Sequence, residues 1–157
     1  MELQKLKQTR AWIREELERC VDFWLKNGID RVHGGVYTCL DRTGKIYSTD
    51  KSVWMQGRCA WMFSRLCALY GKRPEWMEAA ESCLRFLEAY CINRAAGNRM
   101  YFTVTEDGKP LRQRRHFCLG DLLCDGECRV LRPHGGTRVF GARTSRRRYA
   151  LGALARR

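Results

Sequence analysis

Three side chains of one predicted helix carry the densest chemical signal in the sequence. Trp54, Arg58 and Trp61 are spaced i, i+4 and i+7, so a helix brings them to one face. Indole faces bind the apolar faces of sugar rings or stack on arginine, and a guanidinium donates hydrogen bonds to hydroxyl, carbonyl or enolate oxygens. A guanidinium between two indoles is unusual in a core; the pattern alone favours a cation–π pair at a contact between helices, and a ligand site is the alternative.

Two other sets of residues contain side chains that could act as a base or bind a metal. His33 precedes Gly34 and Gly35, and the pattern favours a plain loop residue over a ligand or a base. Late in the chain, one histidine and three cysteines have C-x5-C-x3-C-x5-H spacing, which misses the paired spacing typical of structural zinc. We therefore predict no metal site from these four residues, which are Cys118, Cys124, Cys128 and His134.

The elements that must position these side chains are mostly helical. Apolar residues recur at three- and four-residue steps over residues 9–26 and 51–70, and glycines follow both segments. A third helix is predicted from Pro74 to Tyr90, since proline suits a first helical turn. The Trp54, Arg58 and Trp61 face therefore belongs to the second helix.

Short hairpins follow the first and third helices and reveal a repeat. The first is predicted over residues 34–47 and the second over 100–111, and aligning Tyr37 with Tyr101 gives an offset of 64 residues. Such a repeat favours a toroid or solenoid of helical hairpins, and a chance similarity of two units is the alternative. Two units cannot close a ring, so the chain is predicted to be the front portion of a larger all-α architecture.

Charge and cysteine content narrow the class of protein. The chain has 157 residues and a formal charge of +13, but nine arginines and three acidic residues fall within 116–157, so +6 lies in that segment. The nine cysteines are an odd number and no signal-peptide pattern opens the chain, so a cytoplasmic protein is expected. No apolar stretch is long enough for a membrane span, and no membrane partner is expected.

Residues 1–115 resemble the N-terminal part of the N-acylglucosamine 2-epimerase family, which includes renin-binding proteins and is related to cellobiose 2-epimerases. The resemblance rests on four stretches in matching order, Phe23-Trp24, residues 33–45, Lys51-Ser-Val-Trp-Met-Gln-Gly-Arg58, and Tyr101-Phe102 leading through Asp107-Gly-Lys-Pro110 to Arg114-Arg115. It implies an (α/α)6 barrel, here incomplete and carrying short β-hairpin insertions.

The resemblance also implies a reaction and site residues. The family inverts C2 of a reducing sugar, here most similar to the interconversion of N-acetylglucosamine and N-acetylmannosamine, by removing the C2 proton and returning one to the opposite face. Arg58 is implied to contact the substrate or the oxyanion, and Trp54 and Trp61 are the candidate sugar-binding residues. No cofactor is expected, although some relatives bind a nucleotide effector. A partial toroid exposes helix faces that neighbouring units would cover, so aggregation or a homodimer is expected on physical grounds.

The sequence departs from the family after residue 115. The family continues with an aromatic-Ser-Glu helix, whereas this chain becomes Arg- and Gly-rich and lacks the family's later acid–base histidines, so nothing is carried over to His33, His116 or His134. A shifted reading frame would give such a composition, and we expect residues 116–157 to be an aberrant or disordered tail and the chain to be an inactive fragment. Binding of nucleic acid through the basic tail and a non-catalytic interaction role are the alternatives, although no specific nucleic acid is expected.

Overall fold

The computed structural model describes residues 2–96 and 99–113, which form three helices and three small antiparallel sheets. The elements in chain order are α1 (Glu2–Phe23), a π-helical turn (Trp24–Gly28), β1 (Cys39–Leu40), β2 (Ile46–Ser48), β3 (Lys51–Ser52), α2 (Val53–Tyr70), α3 (Pro74–Tyr90), β4 (Ile92–Asn93), β5 (Arg99–Met100), β6 (Thr103–Val104) and β7 (Pro110–Arg112). None of these helices is long and apolar enough to cross a membrane.

Helix α1 is longer than the pattern of apolar residues predicts. It begins at Glu2 rather than near residue 9, because the segment before residue 9 consists of good helix formers and contains no glycine or proline. Its C-terminal half packs on the other described elements, where Val21 is buried against a cluster that includes Phe63 and Arg14 lies over the ring of Tyr70. Trp12 and Ile13 remain 59% and 54% exposed, so the first half of the predicted apolar face has no cover among the described residues.

Helices α2 and α3 form the centre of the described fold. Gly71, with φ +95°, ends α2 in a conformation that glycine adopts without strain, and Pro74 begins α3 as the sequence predicts. The two helices pack side by side through faces of apolar and small residues. The fully or nearly buried positions of α3 are Trp76, Ala79, Ala80, Cys83, Phe86 and Leu87.

Helix α2 begins at Val53, two residues later than predicted. Lys51 and Ser52 are extended instead and pair with β6, which makes them the edge strand of a three-stranded sheet in the order β3-β6-β7. Ser52 is the N-cap but its side chain makes no capping bond. The Val53 N–H donates to the Phe102 carbonyl at 3.1 Å, so the second hairpin satisfies the first amide of α2.

The two hairpins have the same register at an offset of 64 residues. In the first, Cys39 pairs with Ser48 and Leu40 with Ile46, with a shift between the two pairs. In the second, the equivalent pairs occur with the same shift in the same place, and they are Thr103 with Arg112 and Val104 with Pro110. The internal repeat is therefore present in the backbone as well as in the sequence.

The turns of the hairpins repeat too. Asp41 N–H donates to the Lys45 carbonyl at 3.0 Å, and Thr105 N–H donates to the Lys109 carbonyl at 2.8 Å. Gly44 and Gly108 occupy the same turn position with φ values of +91° and +89°. The fold is thus predominantly helical with repeated hairpin insertions, and its three described helices do not by themselves close a ring.

Candidate functional site

Arg58 and Trp54 lie on the face of α2 that the other described elements leave open. The Arg58 Cζ atom lies 5.1 Å from the centroid of the Trp54 ring, one helical turn away. Both residues are exposed, Trp54 by 38%. Among the described residues no carboxylate pairs with Arg58, so its hydrogen-bond donors are available to an oxygen ligand.

Trp61 continues this face at the next turn and is half-buried. The sequence pattern suggested a guanidinium between two indoles, but the stacking contact within the described region is with Trp54. Trp61 therefore extends the face as an apolar surface. The three residues share the open side of α2, as their spacing predicts.

The opposite face of α2 is anchored by a buried glutamine. Gln56 is fully buried, and its side-chain amide pairs with the backbone of Val36 in both directions. The Val36 N–H donates to Gln56 Oε1 at 2.8 Å, and Gln56 Nε2 donates to the Val36 carbonyl at 2.7 Å. The side-chain amide of Gln56 thus bonds to Val36 as the backbone of a neighbouring strand would. Each of the four polar atoms involved has a hydrogen-bond partner.

The segment that Gln56 holds, residues 28–37, is called the glycine loop here. Its ends close on each other, since Tyr37 N–H donates to the Gly28 carbonyl at 2.8 Å. Gly34 and Gly35 have φ values of +85° and +74°, and a Cβ on Gly35 would lie 2.5 Å from Gln56 Oε1. Gly35 is therefore required both by its positive φ and by the close approach of the loop to α2. Gly34 is required by its positive φ, since the atom nearest to a Cβ there would be Ser82 Oγ of α3 at 3.5 Å.

Lys51 ties the glycine loop to the rest of the fold. Its side chain is fully shielded from solvent, and the Nζ atom donates to Asp30 Oδ2 at 2.6 Å, to the Gly34 carbonyl at 2.8 Å and to the Glu106 carbonyl at 3.0 Å. The same atom lies 4.2 Å from the centroid of the Phe86 ring of α3. One ammonium group therefore joins the glycine loop, the second hairpin and α3 immediately before α2 begins.

The surroundings of Asp30 favour the ionised form of its carboxyl group. Burial alone would raise the pKa of Asp30, but the hydrogen bond from Lys51, the amides of His33 and Val32 and the Lys51 charge together lower it. Burial and the charge of Asp30 in turn raise the pKa of Tyr37, which lies beside the pair. Asp30 is thus an ionised carboxylate with its lone pairs occupied.

His33 belongs to the glycine loop and not to the open face of α2. Its Nδ1 atom lies 3.5 Å from Asp30 Oδ2 and its side chain is partly exposed. Gln56, which binds this loop, lies about 200° around α2 from Arg58, so the loop packs on the opposite side of the helix from Arg58. His33 is therefore a loop residue, as the pattern favours, and the described histidine does not accompany Arg58.

Several sequence predictions fall outside the described residues. They concern His116, the Arg-rich tail over 116–157 and the set Cys118, Cys124, Cys128 and His134. Within residues 2–96 and 99–113, no group of three side chains could hold a metal ion.

Sequence reasoning did not find Asp30, Lys51 or Gln56. Gln56 could have been found, because it lies three residues from Val53 and four from Ala60 on the buried stripe, where a polar side chain needs a partner. The pairing of Lys51 with Asp30 spans 21 residues and has no periodic signal.

Comparison with known proteins matches this chain to a family of epimerases. The family model for N-acylglucosamine 2-epimerase (GlcNAc 2-epimerase) matches residues 35–118, a range that includes Trp54, Arg58 and Trp61. The N-acylglucosamine 2-epimerase of Mus musculus is 36% identical over 116 residues, which cover 73% of this chain and 28% of the relative.

Solved structures agree with that match. The cellobiose 2-epimerase of Spirochaeta thermophila superposes with a TM-score of 0.56 at 31% identity, over 68% of this chain and 27% of the other. The cellobiose 2-epimerase of Bacillus thermoamylovorans has a TM-score of 0.67 at 22% identity, over 95% of this chain and 35% of the other, which shows similarity of fold. The fold of the matched region is thus similar to that of carbohydrate epimerases. The chain belongs to the N-acylglucosamine 2-epimerase family, and it spans 28% of the length of the mouse relative.

Proposed function

We propose that residues 1–115 are the N-terminal part of an (α/α)6 barrel epimerase and supply one wall of its sugar site, with Arg58 as the substrate contact. The observation that carries this proposal is the guanidinium of Arg58, which stacks on Trp54 on the open face of α2 within the matched region and has no carboxylate partner among the described residues. The substrate class is an amino sugar of the N-acetylglucosamine and N-acetylmannosamine type. Residues 116–157 are proposed to lie outside the barrel.

The chemistry explains why arginine suits this position. Removal of the proton at C2, next to the C1 carbonyl of the open sugar, places negative charge on the carbonyl oxygen, and return of a proton to the other face inverts the carbon. A guanidinium at that oxygen stabilises the charged intermediate more than the ground state, which accelerates the reaction. Trp54 holds the guanidinium in place by stacking, and Trp61 offers an apolar surface to a sugar ring.

We further propose that this chain by itself does not catalyse inversion. The reaction needs two acid–base groups on opposite faces of C2, and such groups must lie within hydrogen-bond reach of the proton that they transfer. Among the described residues, no histidine accompanies Arg58, since His33 lies on the glycine loop. The described residues thus supply a binding wall without the acid and base.

An isotope-exchange assay and a matched variant of a relative test both statements. This chain is expected to leave the C2 proton of N-acetylmannosamine unexchanged in D2O, while the mouse relative exchanges it. Replacing the arginine of that relative aligned with Arg58 by alanine is expected to lower kcat/KM about 10²-fold or more. Exchange by this chain that is lost in Arg58→Ala would contradict its inactivity, and an unchanged kcat/KM in the relative's variant would contradict the role of the arginine.

A further inference from the structure

We propose that Gln56 is a positioning residue that fixes the rotation of α2 and thereby holds Arg58 and Trp54 on its open face. Gln56 acts through the backbone of Val36 and touches neither Arg58 nor a substrate. This inference rests on the proposed function, because Arg58 is the group that is positioned.

The geometry of the amide pair makes Gln56 suited to this task. Its two hydrogen bonds, at 2.8 and 2.7 Å, run in opposite directions between one side-chain amide and one residue of the glycine loop. Hydrogen bonds weaken steeply when they bend, so the pair is kept only at one rotation and one height of the helix. A turn of α2 that moved Arg58 toward the core would break both bonds and leave buried polar atoms unpaired.

Apolar packing constrains this end of α2 less than the other end. Over residues 53–60, Gln56 is the largest fully buried side chain, and its buried neighbours Gly57, Cys59 and Ala60 are small. Val53 packs against Phe86 and Leu87 at the start of the helix, and the next large apolar anchor is Phe63, in the cluster beneath the end of α1. Between these two anchors, Gln56 supplies the directional contact that orients the turn carrying Arg58.

The target of the amide is itself fixed by other elements. Gly35 N–H donates to Ser82 Oγ of α3 at 2.9 Å, and the Gly34 carbonyl accepts from Lys51 Nζ at 2.8 Å. Val36 is fully buried and forms a β-bridge with Ile29. The Val36 backbone is thus held in place by α3 and β3, and the hydrogen bonds of Gln56 fix the position of α2 relative to it.

Substitutions at Gln56 separate a positioning role from filling of space. In Gln56→Glu the protonated carboxyl keeps both bonds, whereas the ionised carboxylate keeps the bond from the Val36 N–H and loses the donor to the Val36 carbonyl. In Gln56→Met the volume is kept and both bonds are lost at every pH. Burial raises the pKa of an introduced carboxyl, so it should titrate between about pH 5 and pH 9.

The readout is the orientation of Arg58 in the whole chain. The carbon-bound Hδ resonances of Arg58, assigned by their loss in Arg58→Lys, are expected to carry a ring-current shift from Trp54 that reports the stacking. Ser64→Ala is the matched control, because the Ser64 hydroxyl is buried on the same helix but donates only to the Ala60 carbonyl within it. Circular dichroism confirms that each variant is folded. The wild-type chain is titrated in parallel, because other ionisable groups lie on the elements packed around Gln56. These groups are Asp30, His33, Lys51, Cys59 and Cys83.

We expect the Arg58 resonance of Gln56→Glu to match wild type in acid and to move toward its unstacked position in one titration step as the pH rises. Gln56→Met is expected to show the unstacked position throughout, and Ser64→Ala the wild-type position. A folded Gln56→Met with the wild-type resonance, or a Gln56→Glu resonance as independent of pH as that of wild type, would overturn the proposal. Should Gln56→Glu unfold in alkali, Gln56→Met alone decides the question.

Failure of this inference is distinguishable from failure of the proposed function. Sugar affinity of wild type and Arg58→Ala tests the proposed function, whereas the Arg58 resonance is measured without any sugar. A resonance that depends on Gln56 together with a sugar affinity that does not depend on Arg58 would keep the positioning role and reject the substrate role.

Discussion

The Lys51 ammonium and the Asp30 carboxylate form an ion pair at 2.6 Å with both side chains fully shielded from solvent. Taking two charges out of water costs several kcal/mol each, and the cost is offset only when the remaining donors and acceptors are also satisfied. Here all three ammonium protons have oxygen acceptors, and the second carboxylate oxygen accepts from the amides of Val32 and His33. The pair therefore holds the loop beneath α2 in one arrangement.

Breaking this pair from one side should be strongly destabilising. Lys51→Met leaves the Asp30 carboxylate buried without its counter-charge, so we expect a loss of about 3–5 kcal/mol in the free energy of unfolding. The surface pair of Arg85 and Glu81, at 3.1 Å, gives the matched control, and Arg85→Met should cost no more than about 0.5 kcal/mol. Urea denaturation measures both values, and equal losses in the two variants would contradict the structural role of Lys51.

The same pair predicts a dependence of stability on acid. Because the pKa of Asp30 is lower in the folded chain than in the unfolded chain, its contribution is fully present above the unfolded value of about 3.9 and is lost as the pH falls through the lowered folded value. Asp30→Asn removes this titration and should flatten the fall of stability below about pH 4. Asp22→Asn, at an exposed carboxylate of α1, serves as control. If Asp30→Asn lost stability in acid as steeply as wild type, another carboxylate would be responsible.

Gly35 should tolerate alanine much less well than another glycine with positive φ. Gly35→Ala combines a strained backbone with a Cβ at 2.5 Å from Gln56 Oε1, whereas Gly71→Ala has a similar φ of +95° and no atom within 4 Å of the new Cβ. The difference between the two variants isolates the steric term, which we expect to be about 1–3 kcal/mol against Gly35→Ala. Thermal unfolding compares the stability of the two variants. Equal losses of stability would show that the glycine loop accommodates the Cβ without a steric penalty.

Much of this fold was predictable from periodicity, and the reason is visible in α3. Its apolar stripe, the proline at its first turn and its end at Tyr90 are all local features, and the structure confirms them. The hairpins and their 64-residue offset were predictable for the same reason, since turn chemistry at Gly44 and Gly108 is local. Local sequence information therefore defined most elements.

The contacts that organise the site were not predictable in this way. The apolar run beside Lys51 predicts that it begins α2, but it is a strand residue because Val104 of β6, 53 residues later, pairs with it. In the sequence, Asp30 resembles an ordinary turn residue, and its structural role is visible only from its contact with Lys51. The face of Trp54 and Arg58 was predictable because helical spacing alone defines it, but Gln56, which orients that face, depends on a loop 20 residues away.

The most direct test of the central claim is the affinity of this chain for N-acetylmannosamine with and without the Arg58 guanidinium. Saturation-transfer NMR would compare wild type, Arg58→Ala and Arg85→Ala, the last removing an exposed arginine from α3. A hydrogen bond from a charged donor contributes about 1.5–3 kcal/mol, so affinity should fall at least about tenfold in Arg58→Ala and stay unchanged in Arg85→Ala. Equal affinities in wild type and Arg58→Ala would contradict the assignment of Arg58 as the sugar contact.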